Sequence, residues 1–505
     1  MIDRRQFLIA GAAPLFIRHA LAADVQRFAL GIASGHPRPD GMVLWTRLTG
    51  DALPERVDVS WEIARDEGFK DIAARGVEVA DSAWAHSVHA EPAGLQPGRW
   101  YFYRFHALGQ RSAVGRTRTA PAADADVSRF EFAIASCQRW DHGYFAAWKH
   151  IAQESLDLVM FLGDYIYEYP MVPGRVRWHS GGYTRTLDDY RARYAQYKSD
   201  PALQAAHAAA PWLYVWDDHE VDNDYANDCG QSLSGETFLA QRAAAYRAYW
   251  EHTPFPKSAR PNGADMRIYA RYDWGKLARI HALDDRQYRD HQVCLPAGRS
   301  GGSTTVLVKD CAALVDPKRT LLGAAQEQWL ADGWDLQRPW NLLAQQTLMA
   351  HFTSRDPKSA DSLGGSAWTD GWEGYPAARK RLLDGVANKR VPGVVVLGGD
   401  VHANYVADLK SDFDDAKAPV IASEFCGTSI TSEGVAQERL TAALAYNPHV
   451  KYGRSDQRGY VRFSLDGRAL QAQLRVLDNV KDADSGIRTA ARFVVDAARA
   501  GVQPA

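Results

Sequence analysis

The chain has 505 residues, of which 46% are hydrophobic and 24% are charged, and its formal net charge is −2. These values are typical of a globular protein with about two to four domains. The near-neutral charge excludes a strong overall attraction to nucleic acid or to an anionic membrane, and we see no basic patch that would bind nucleic acid.

The first 23 residues have the pattern of an export signal. Arg4 and Arg5 stand before an apolar run that ends at Ile17, and the small residues Ala20 and Ala22 form a cleavage pattern. The run is shorter than the roughly 20 residues that cross a bilayer. We therefore predict a twin-arginine signal peptide over 1–23, recognition by the twin-arginine export machinery, and a periplasmic or secreted protein without a transmembrane segment. The alternative is an ordinary amphipathic helix.

The next region, 24–120, contains short runs in which apolar and polar residues alternate. These runs are GMVLWTRL, VDVSWEIA, SVHAEPAG and WYFYRFHAL, separated by Gly, Pro and Asp turns. Alternation of this kind without intervening helices predicts a small antiparallel β-sandwich. The stretch GLQPGRWYFYRFHA also resembles the L-x-P-x-x-x-Y-x-Y corner of fibronectin-type domains. A linker rich in Ala, Pro and Asp follows at 119–128.

From residue 129 the pattern changes, because strand-like runs alternate with longer stretches of helical spacing. The strand candidates are FEFAIAS, LDLVMFLG, PWLYVW, LARIHALD, WNLLAQQ, GVVVLGG and PVIASEF. The helix candidates are YFAAWKHIAQE, TLDDYRARYAQYKSD, ETFLAQRAAAYRAYWEHT, GAAQEQWLADGWD and YPAARKRLLDGVANK. This alternation predicts one α/β domain over 121–505, with helices covering its sheets.

The chain has five cysteines, an odd number that leaves at least one unpaired. Cys294 and Cys311 enclose a polar loop rich in Gly and Ser. A disulfide closing this loop is expected in an oxidising compartment.

Ionisable or metal-binding side chains follow five of the predicted strands. They are Cys137, then Asp164 and Tyr167, then Asp217, Asp218 and His219, then Asp284, Asp285 and Arg286, and finally Asp400 and His402. In α/β folds ligands collect outside the carboxyl ends of strands, so the five groups are expected to converge. Taken singly, each has an ordinary alternative as a core residue, and Asp284 and Asp285 could cap the next segment.

The stretch YVWDDHEVDND at 214–224 holds four aspartates, a glutamate and a histidine. Neighbouring carboxylates repel one another, and a cation would neutralise them. A solvated surface turn is the alternative. Because the other strand ends carry similar side chains, the combination favours a metal site.

These motifs resemble those of a known family. GDYIY, DDHE and GDVH, with ASCQ before them and DDRQYR and FCGTSI after, are similar to the motifs of PhoD-type alkaline phosphatases in the metallophosphoesterase superfamily. The resemblance implies an α/β metallophosphoesterase-like sandwich, in which helices flank two sheets, with an amino-terminal all-β, fibronectin-like domain. It also implies hydrolysis of phosphate monoesters by a metal-bound hydroxide, with diesters left open.

The same resemblance implies the metal ligands. They are Cys137, Asp164, Tyr167, Asp218, Asn223, Asp400 and His402. Asp164 would bridge two ions. Thiolate and phenolate donors suit Fe³⁺, and the additional carboxylates favour Ca²⁺, with Zn²⁺ or Mn²⁺ as the alternatives. Asp217 and Asp218 should point opposite ways on an extended backbone, so one of them is expected to face a given ion.

Two further residues are candidates for catalysis. His219 would face the phosphate and stabilise its charge or protonate the leaving group, and Arg286 would clamp phosphoryl oxygens. The alternative for Arg286 is a pair with Asp285. The expected partners are small phosphate esters, and a monomer is expected. The competing functions are a phospholipase D or phosphodiesterase on the same scaffold, and a non-catalytic periplasmic protein that binds metal or phosphate.

Overall fold

The computed structural model describes residues 26–505, so the predicted signal peptide over 1–23 lies outside the described residues. The first eight strands are β1 (Ile32–Arg38), β2 (Gly41–Arg47), β3 (Arg56–Ala64), β4 (Ile72–Asp81), β5 (Ser87–Ala90), β6 (Trp100–Ala107), β7 (Gln110–Arg111) and β8 (Gly115–Arg118).

Sixteen further strands follow in the described residues. They are β9 (Phe130–Ala135), β10 (Leu158–Leu162), β11 (Trp212–Val215), β12 (Ala270–Trp274), β13 (Ala278–Ala282), β14 (Thr305–Leu307), β15 (Trp340–Ala344), β16 (Ser366–Trp368), β17 (Val394–Gly398), β18 (Asn404–Lys410), β19 (Val420–Cys426), β20 (Val450–Arg454), β21 (Gly459–Leu465), β22 (Ala469–Leu477), β23 (Ile487–Asp496) and β24 (Arg499–Pro504). The α-helices are α1 (Ala146–Ile151), α2 (Leu187–Lys198), α3 (Pro201–Ala209), α4 (Gly235–His252), α5 (Gly323–Gly333), α6 (Pro376–Lys389) and α7 (Gln437–Leu444).

The amino-terminal strands are divided between two sheets. One small sheet has the order β4-β3-β6-β7, with β8 also paired to β6. In contrast, β1, β2 and β5 extend a ten-stranded sheet, in which β1 runs parallel to β11 with Gly35 opposite Trp212. The boundary at residue 120 stays a prediction, but the strands before it are continuous with the larger sheet.

Two large sheets form the remainder of the fold. The first has the order β24-β23-β22-β21-β9-β10-β11-β1-β2-β5, and the second has the order β12-β13-β15-β17-β19-β18-β20. Neighbouring strands from β9 to β1 in the first sheet, and from β13 to β19 in the second, are parallel. The predicted combination of sheets and helices is therefore confirmed as an α/β fold.

The two large sheets pack on each other through one apolar core. In β17, Val395 and Leu397 belong to this shared core, together with Phe132 of β9. The alternate residues Val394 and Val396 belong to a second core, which includes residues of α5 and α6. Because successive side chains of a strand point to opposite faces, β17 lies between the other sheet and a layer of helices.

Helix boundaries follow local capping chemistry. Thr186 and Asp189 form a reciprocal capping box at the start of α2. Asp200 accepts two backbone N–H bonds before Pro201, which opens α3. The five predicted helices are present as α1, α2, α4, α5 and α6, whereas α3 and α7 were not predicted.

The predicted disulfide is confirmed, because Cys294 and Cys311 are bonded, with their Cα atoms 6.0 Å apart. Cys137, Cys229 and Cys426 are buried free thiols. Within residues 26–505, we find no helix of the length and apolar character that a membrane span requires.

Candidate metal centre

Side chains from the ends of several parallel strands lie together. Cys137, Asp164 and His402 offer ligand atoms within 4.8 Å of one another, and so do Asp217, Asp218 and Asp400. Asp164 and Asp218 also form such a group with His219. Because β9, β10 and β11 belong to one large sheet and β17 to the other, the centre lies where both sheets end.

The backbone at this centre is held in an uncommon conformation. Cys137, Asp164, Asp400 and His402 have φ angles of 58°, 61°, 63° and 52°, in the left-handed region that non-glycine residues rarely adopt. Before Asp164, Gly163 has φ 104°, and a Cβ there would lie only 2.4 Å from the Cβ of Asp217. Left-handed residues of this kind cluster at functional sites, where the surrounding structure holds them in place.

Tyr167 joins the first group of side chains. Its hydroxyl donates to Oδ2 of Asp164 at 2.7 Å, lies 3.1 Å from Nε2 of His402 and accepts from Oγ of Ser432 at 2.7 Å. Burial, followed by the charge of Asp164, raises the pKa of both the Cys137 thiol and the Tyr167 phenol. A bound cation would reverse this effect and favour the thiolate and the phenolate.

The carboxylates of the centre carry oxygens that fit a metal. Within residues 26–505, Asp164 Oδ1, Asp217 Oδ2, Asp218 Oδ1 and Asp400 Oδ2 are buried without a hydrogen-bond partner. Burial raises the pKa of Asp217 and Asp400 well above the usual range. Buried polar atoms are rarely left without partners in folded proteins, so these oxygens are suited to bind cations.

Arg286 lies in a different place from the one expected. Its Nε donates to Oδ1 of Asp217 at 2.5 Å, its NH1 lies 2.7 Å from Oδ2 of Asp370, and its side chain is 1% exposed. The prediction that Arg286 clamps phosphoryl oxygens does not fit this structure, because aspartates already occupy the guanidinium. The alternative pair with Asp285 is not formed either. Arg286 instead balances part of the negative charge of the centre.

His219 is paired with a buried glutamate. Nδ1 of His219 lies 2.7 Å from Oε2 of Glu168, and the side chain of Glu168 has no exposed surface. Burial by itself lowers the pKa of His219, but the charges of Glu168, Asp218 and Asp164 outweigh it and raise the pKa well above its ordinary value. Glu168 therefore favours the protonated imidazole and orients it through Nδ1, with Nε2 left for another partner.

Glu220 ties two of the site loops together. Its carboxylate accepts the backbone N–H groups of Asp164, Tyr165 and Asp217 at 3.0, 2.6 and 2.9 Å. The residues after β10 are thereby held against the residues after β11.

Asn223 lies at the cavity described below, but its Oδ1 accepts the Tyr169 hydroxyl at 2.7 Å. Asp284 has a structural role instead of a place at the centre. Its Oδ1 accepts the backbone N–H of Arg286 at 3.1 Å, as the alternative prediction of a capping residue expects.

An open cavity of about 630 Å³ lies at the centre. Asp218, His219, Asp400 and His402 are among the residues that line it. A substrate in this cavity would therefore reach both the acidic cluster and the Glu168–His219 pair.

Sequence reasoning missed three contributors to the site, Glu168, Glu220 and Asp370. Glu168 directly follows GDYIY and Glu220 closes DDHE, so their position within the motifs was the available signal. Asp370 follows the short strand β16 and belongs to no recognised motif. One of its oxygens forms a candidate cation group with an oxygen of Asp218 and an oxygen of Asp224.

Comparisons with known proteins agree with this geometry. A model of the PhoD-like phosphatase family matches residues 132–474, and a model of the amino-terminal domain of that family matches residues 15–121. The chain belongs to the PhoD-like phosphatase family. It is 43% identical over 497 residues to alkaline phosphatase D of Bacillus subtilis (strain 168), which covers 94% of this chain and 82% of that protein.

A solved structure of PhoD superposes with a TM-score of 0.89 at 42% identity, covering 95% of this chain and 92% of that chain. The predicted resemblance is therefore confirmed, and so is the predicted enzyme class, a hydrolase of phosphate esters.

Proposed function

We propose that this phosphoesterase is an exported alkaline phosphatase that hydrolyses small phosphate monoesters, and diesters at the same site, with iron and calcium ions. One observation carries the proposal: four buried carboxylate oxygens without partners within residues 26–505 lie beside the Glu168–His219 pair, at a cavity open to substrate.

The residues present fit a centre of two or more ions. Cys137, Tyr167 and His402 would hold one ion, and Asp218 and Asp400 the second. Asp164 would bridge the two, and Asn223 is a further candidate ligand once Tyr169 releases its Oδ1. Thiolate and phenolate donors suit Fe³⁺, whereas a carboxylate-rich site suits Ca²⁺. When bound, such ions neutralise phosphoryl oxygens and acidify a water molecule.

His219 is the proposed catalytic residue. Glu168 orients the imidazole through Nδ1, which leaves the Nε2 proton for the phosphate or the leaving oxygen. In that position His219 would stabilise the developing charge, or give its proton to the departing alcohol. Arg286 would act indirectly, because its contact with Asp217 fixes that carboxylate and offsets its charge.

The finer features of the fold belong to this proposal. We assign residues 24–120 to a fibronectin-like domain, supported by the hydroxyl of Tyr101, which accepts the backbone N–H of Gln96 at 3.0 Å. We assign residues 121–505 to a metallophosphoesterase-like sandwich, supported by the two packed sheets.

Export by the twin-arginine route is supported by Arg4 and Arg5 and by a disulfide suited to an oxidising compartment. We expect the enzyme to be a monomer.

The competing functions differ in how well they fit. The size of the cavity favours a phosphodiesterase or phospholipase D as the second candidate, because its volume exceeds what a phosphate group needs. A non-catalytic binding protein fits less well, because it would not require a histidine that Glu168 orients at the cavity.

The test uses protein exported by its own pathway and analysed for metals. Release of p-nitrophenol from p-nitrophenyl phosphate and from its bis ester compares monoesterase and diesterase activity.

His219→Ala should keep the metals, and its turnover should fall by about 10²–10³-fold, the usual cost of removing one stabilising donor. Asp400→Ala should instead lose an ion. Near-normal turnover by His219→Ala, or an inactive metal-replete enzyme, would contradict the proposal. Zinc or manganese in place of iron and calcium would correct the metal assignment alone.

A further inference from the structure

The cavity at the metal centre is larger and less polar than a phosphate group requires. Its volume of about 630 Å³ lies in the range of pockets that bury a whole organic ligand. Beyond the acidic residues, its wall includes the apolar side chains of Phe352, Trp368, Tyr405 and Val435 and the cationic side chain of Arg439. Most of the cavity must therefore receive the alcohol portion of the ester.

The apolar wall is held in place by specific contacts. The rings of Phe352 and Tyr405 meet edge to face with centroids 5.3 Å apart. The indole N–H of Trp368 donates to Oγ of Ser303 at 3.1 Å. Val435 follows Glu433 by two residues, and the carbonyl of Glu433 lies 2.8 Å from Nδ1 of His402. The wall thus begins directly beside a proposed metal ligand.

Val435 leaves 52% of its surface exposed at this wall. Covering an exposed apolar side chain with an apolar ligand makes the free energy of binding more favourable. Phe352 and Trp368 are also only partly buried. A leaving group with an apolar segment would cover all three.

Arg439 lies on α7 and is exposed. Among residues 26–505, no acceptor pairs with its guanidinium, whereas Glu433, which also lines the cavity, is already paired with Arg175 at 2.8 Å. The other charged residues lining the cavity include Asp218, Asp224 and Asp400. An unpaired cation in an otherwise acidic cavity offers a contact to an anionic group that is separate from the reacting phosphate.

We infer that the preferred substrate is a phosphate ester whose alcohol has an apolar segment next to the scissile bond and a negative charge beyond it. This inference rests on the proposed phosphoesterase function and specifies its substrate class. The apolar segment would contact Val435, Phe352 and Trp368, and the distal anion would contact Arg439. A carboxylate or a second phosphate would each supply that anion.

The test measures kcat/KM of the metal-loaded enzyme on alkyl phosphates of four, six and eight carbons. Each length ends in a methyl group, a carboxylate or a non-hydrolysable phosphonate. Each methylene buried on the wall should raise kcat/KM by up to about fourfold. A charged end of suitable length should raise it by about fivefold over the methyl end, the upper range for an exposed ion pair.

Two variants and two matched controls locate these effects. Val435→Asp should flatten the dependence on chain length, and Arg439→Gln should bring the ratio of charged-end to methyl-end kcat/KM to about 1. Val315→Asp and Arg499→Gln change exposed residues of the same types that do not line the cavity, so both should leave the two dependences intact. The metal content of every variant is measured to exclude an effect on the centre.

The outcomes separate this inference from the proposed function. A kcat/KM independent of chain length, or a preference for a charged end that persists in Arg439→Gln, would overturn the inference, even though hydrolysis of p-nitrophenyl phosphate would uphold the phosphoesterase. Failure to hydrolyse any ester would overturn both. A preference for carboxylate over phosphonate, or the reverse, would support the inference and identify the anion.

Discussion

Replacing Glu220 with glutamine should disable the metal centre without removing a ligand. The Glu220 side chain is buried and accepts three backbone N–H bonds, from Asp164, Tyr165 and Asp217. One oxygen takes the bonds from Asp164 and Asp217, and the other takes the bond from Tyr165. The substitution keeps the volume of the side chain but replaces one acceptor by an NH₂ donor.

The cost follows from this arrangement. If the amide oxygen takes the position with two bonds, the N–H of Tyr165 faces a donor and loses its partner. The opposite orientation leaves two N–H groups unpaired. A hydrogen bond to a charged acceptor contributes about 1.5–3 kcal/mol, so the smaller loss is about 2 kcal/mol. A displacement of about 1 Å at reacting groups can cost about 10²-fold in rate. We therefore expect turnover to fall by about two orders of magnitude, with a loss of bound metal.

Glu424 provides a matched control. It is buried and accepts two backbone N–H bonds, from Met349 at 2.6 Å and from Ala350 at 2.7 Å, one on each oxygen. Glu424→Gln therefore loses at least one bond of the same kind, but the loop that it holds carries none of the proposed ligands. The assay compares p-nitrophenyl phosphate turnover, metal content and thermal unfolding of both variants. Both should unfold at a lower temperature, and only Glu220→Gln should lose its activity and metal. Equal activities in the two folded variants would refute the reasoning.

Three further predictions concern the metals and the disulfide. Tyr167→Phe should strongly shift the visible absorption of an iron-loaded enzyme because the phenolate is gone, and an unchanged spectrum would contradict the ligand assignment. Cys294→Ser with Cys311→Ser should lower the unfolding free energy by about 3 kcal/mol, since the bond closes a 17-residue separation; a melting curve equal to that of the oxidised enzyme would contradict this. In metal-free protein, burial and the charge of Asp164 raise the pKa of Glu220 to about 8. The native state then binds more protons than the unfolded chain, so its stability should fall between about pH 4.5 and pH 8, whereas the metal-loaded protein should show a smaller slope in pH-dependent melting.

The sequence was informative where function depends on the order of local motifs. Cys137, Asp164 and His402 each follow a recognisable apolar strand, and parallel strands end at the same edge of a sheet. Their convergence was therefore predictable without knowing the order of the strands. The left-handed φ angles at these residues were not predictable, because they arise from contacts between loops rather than from the residue types.

The role of Arg286 shows where local reasoning fails. Its position after a strand and beside Asp285 suggested a phosphate clamp or a pair with its neighbour. The structure instead places its guanidinium against Asp217 and Asp370, which lie 69 and 84 residues away in the sequence. The pairing of β1 with β11, which places Gly35 opposite Trp212, is likewise a contact between residues that are far apart in the sequence. Contacts between distant residues leave no periodic pattern in a single sequence.

In the acidic stretch at 214–224, the local composition was informative, but long-range contacts decide the role of each aspartate. Its composition led to the prediction of a bound cation, but the four aspartates do not share one role. Asp217 is paired with Arg286, and Asp218 keeps one oxygen without a hydrogen-bond partner among residues 26–505. Asp222 accepts the hydroxyl of Tyr183 at 2.5 Å, and Asp224 accepts a hydroxyl from the disulfide-closed loop. Distant donors therefore satisfy part of this charge, and the proposed metal would balance only the remainder.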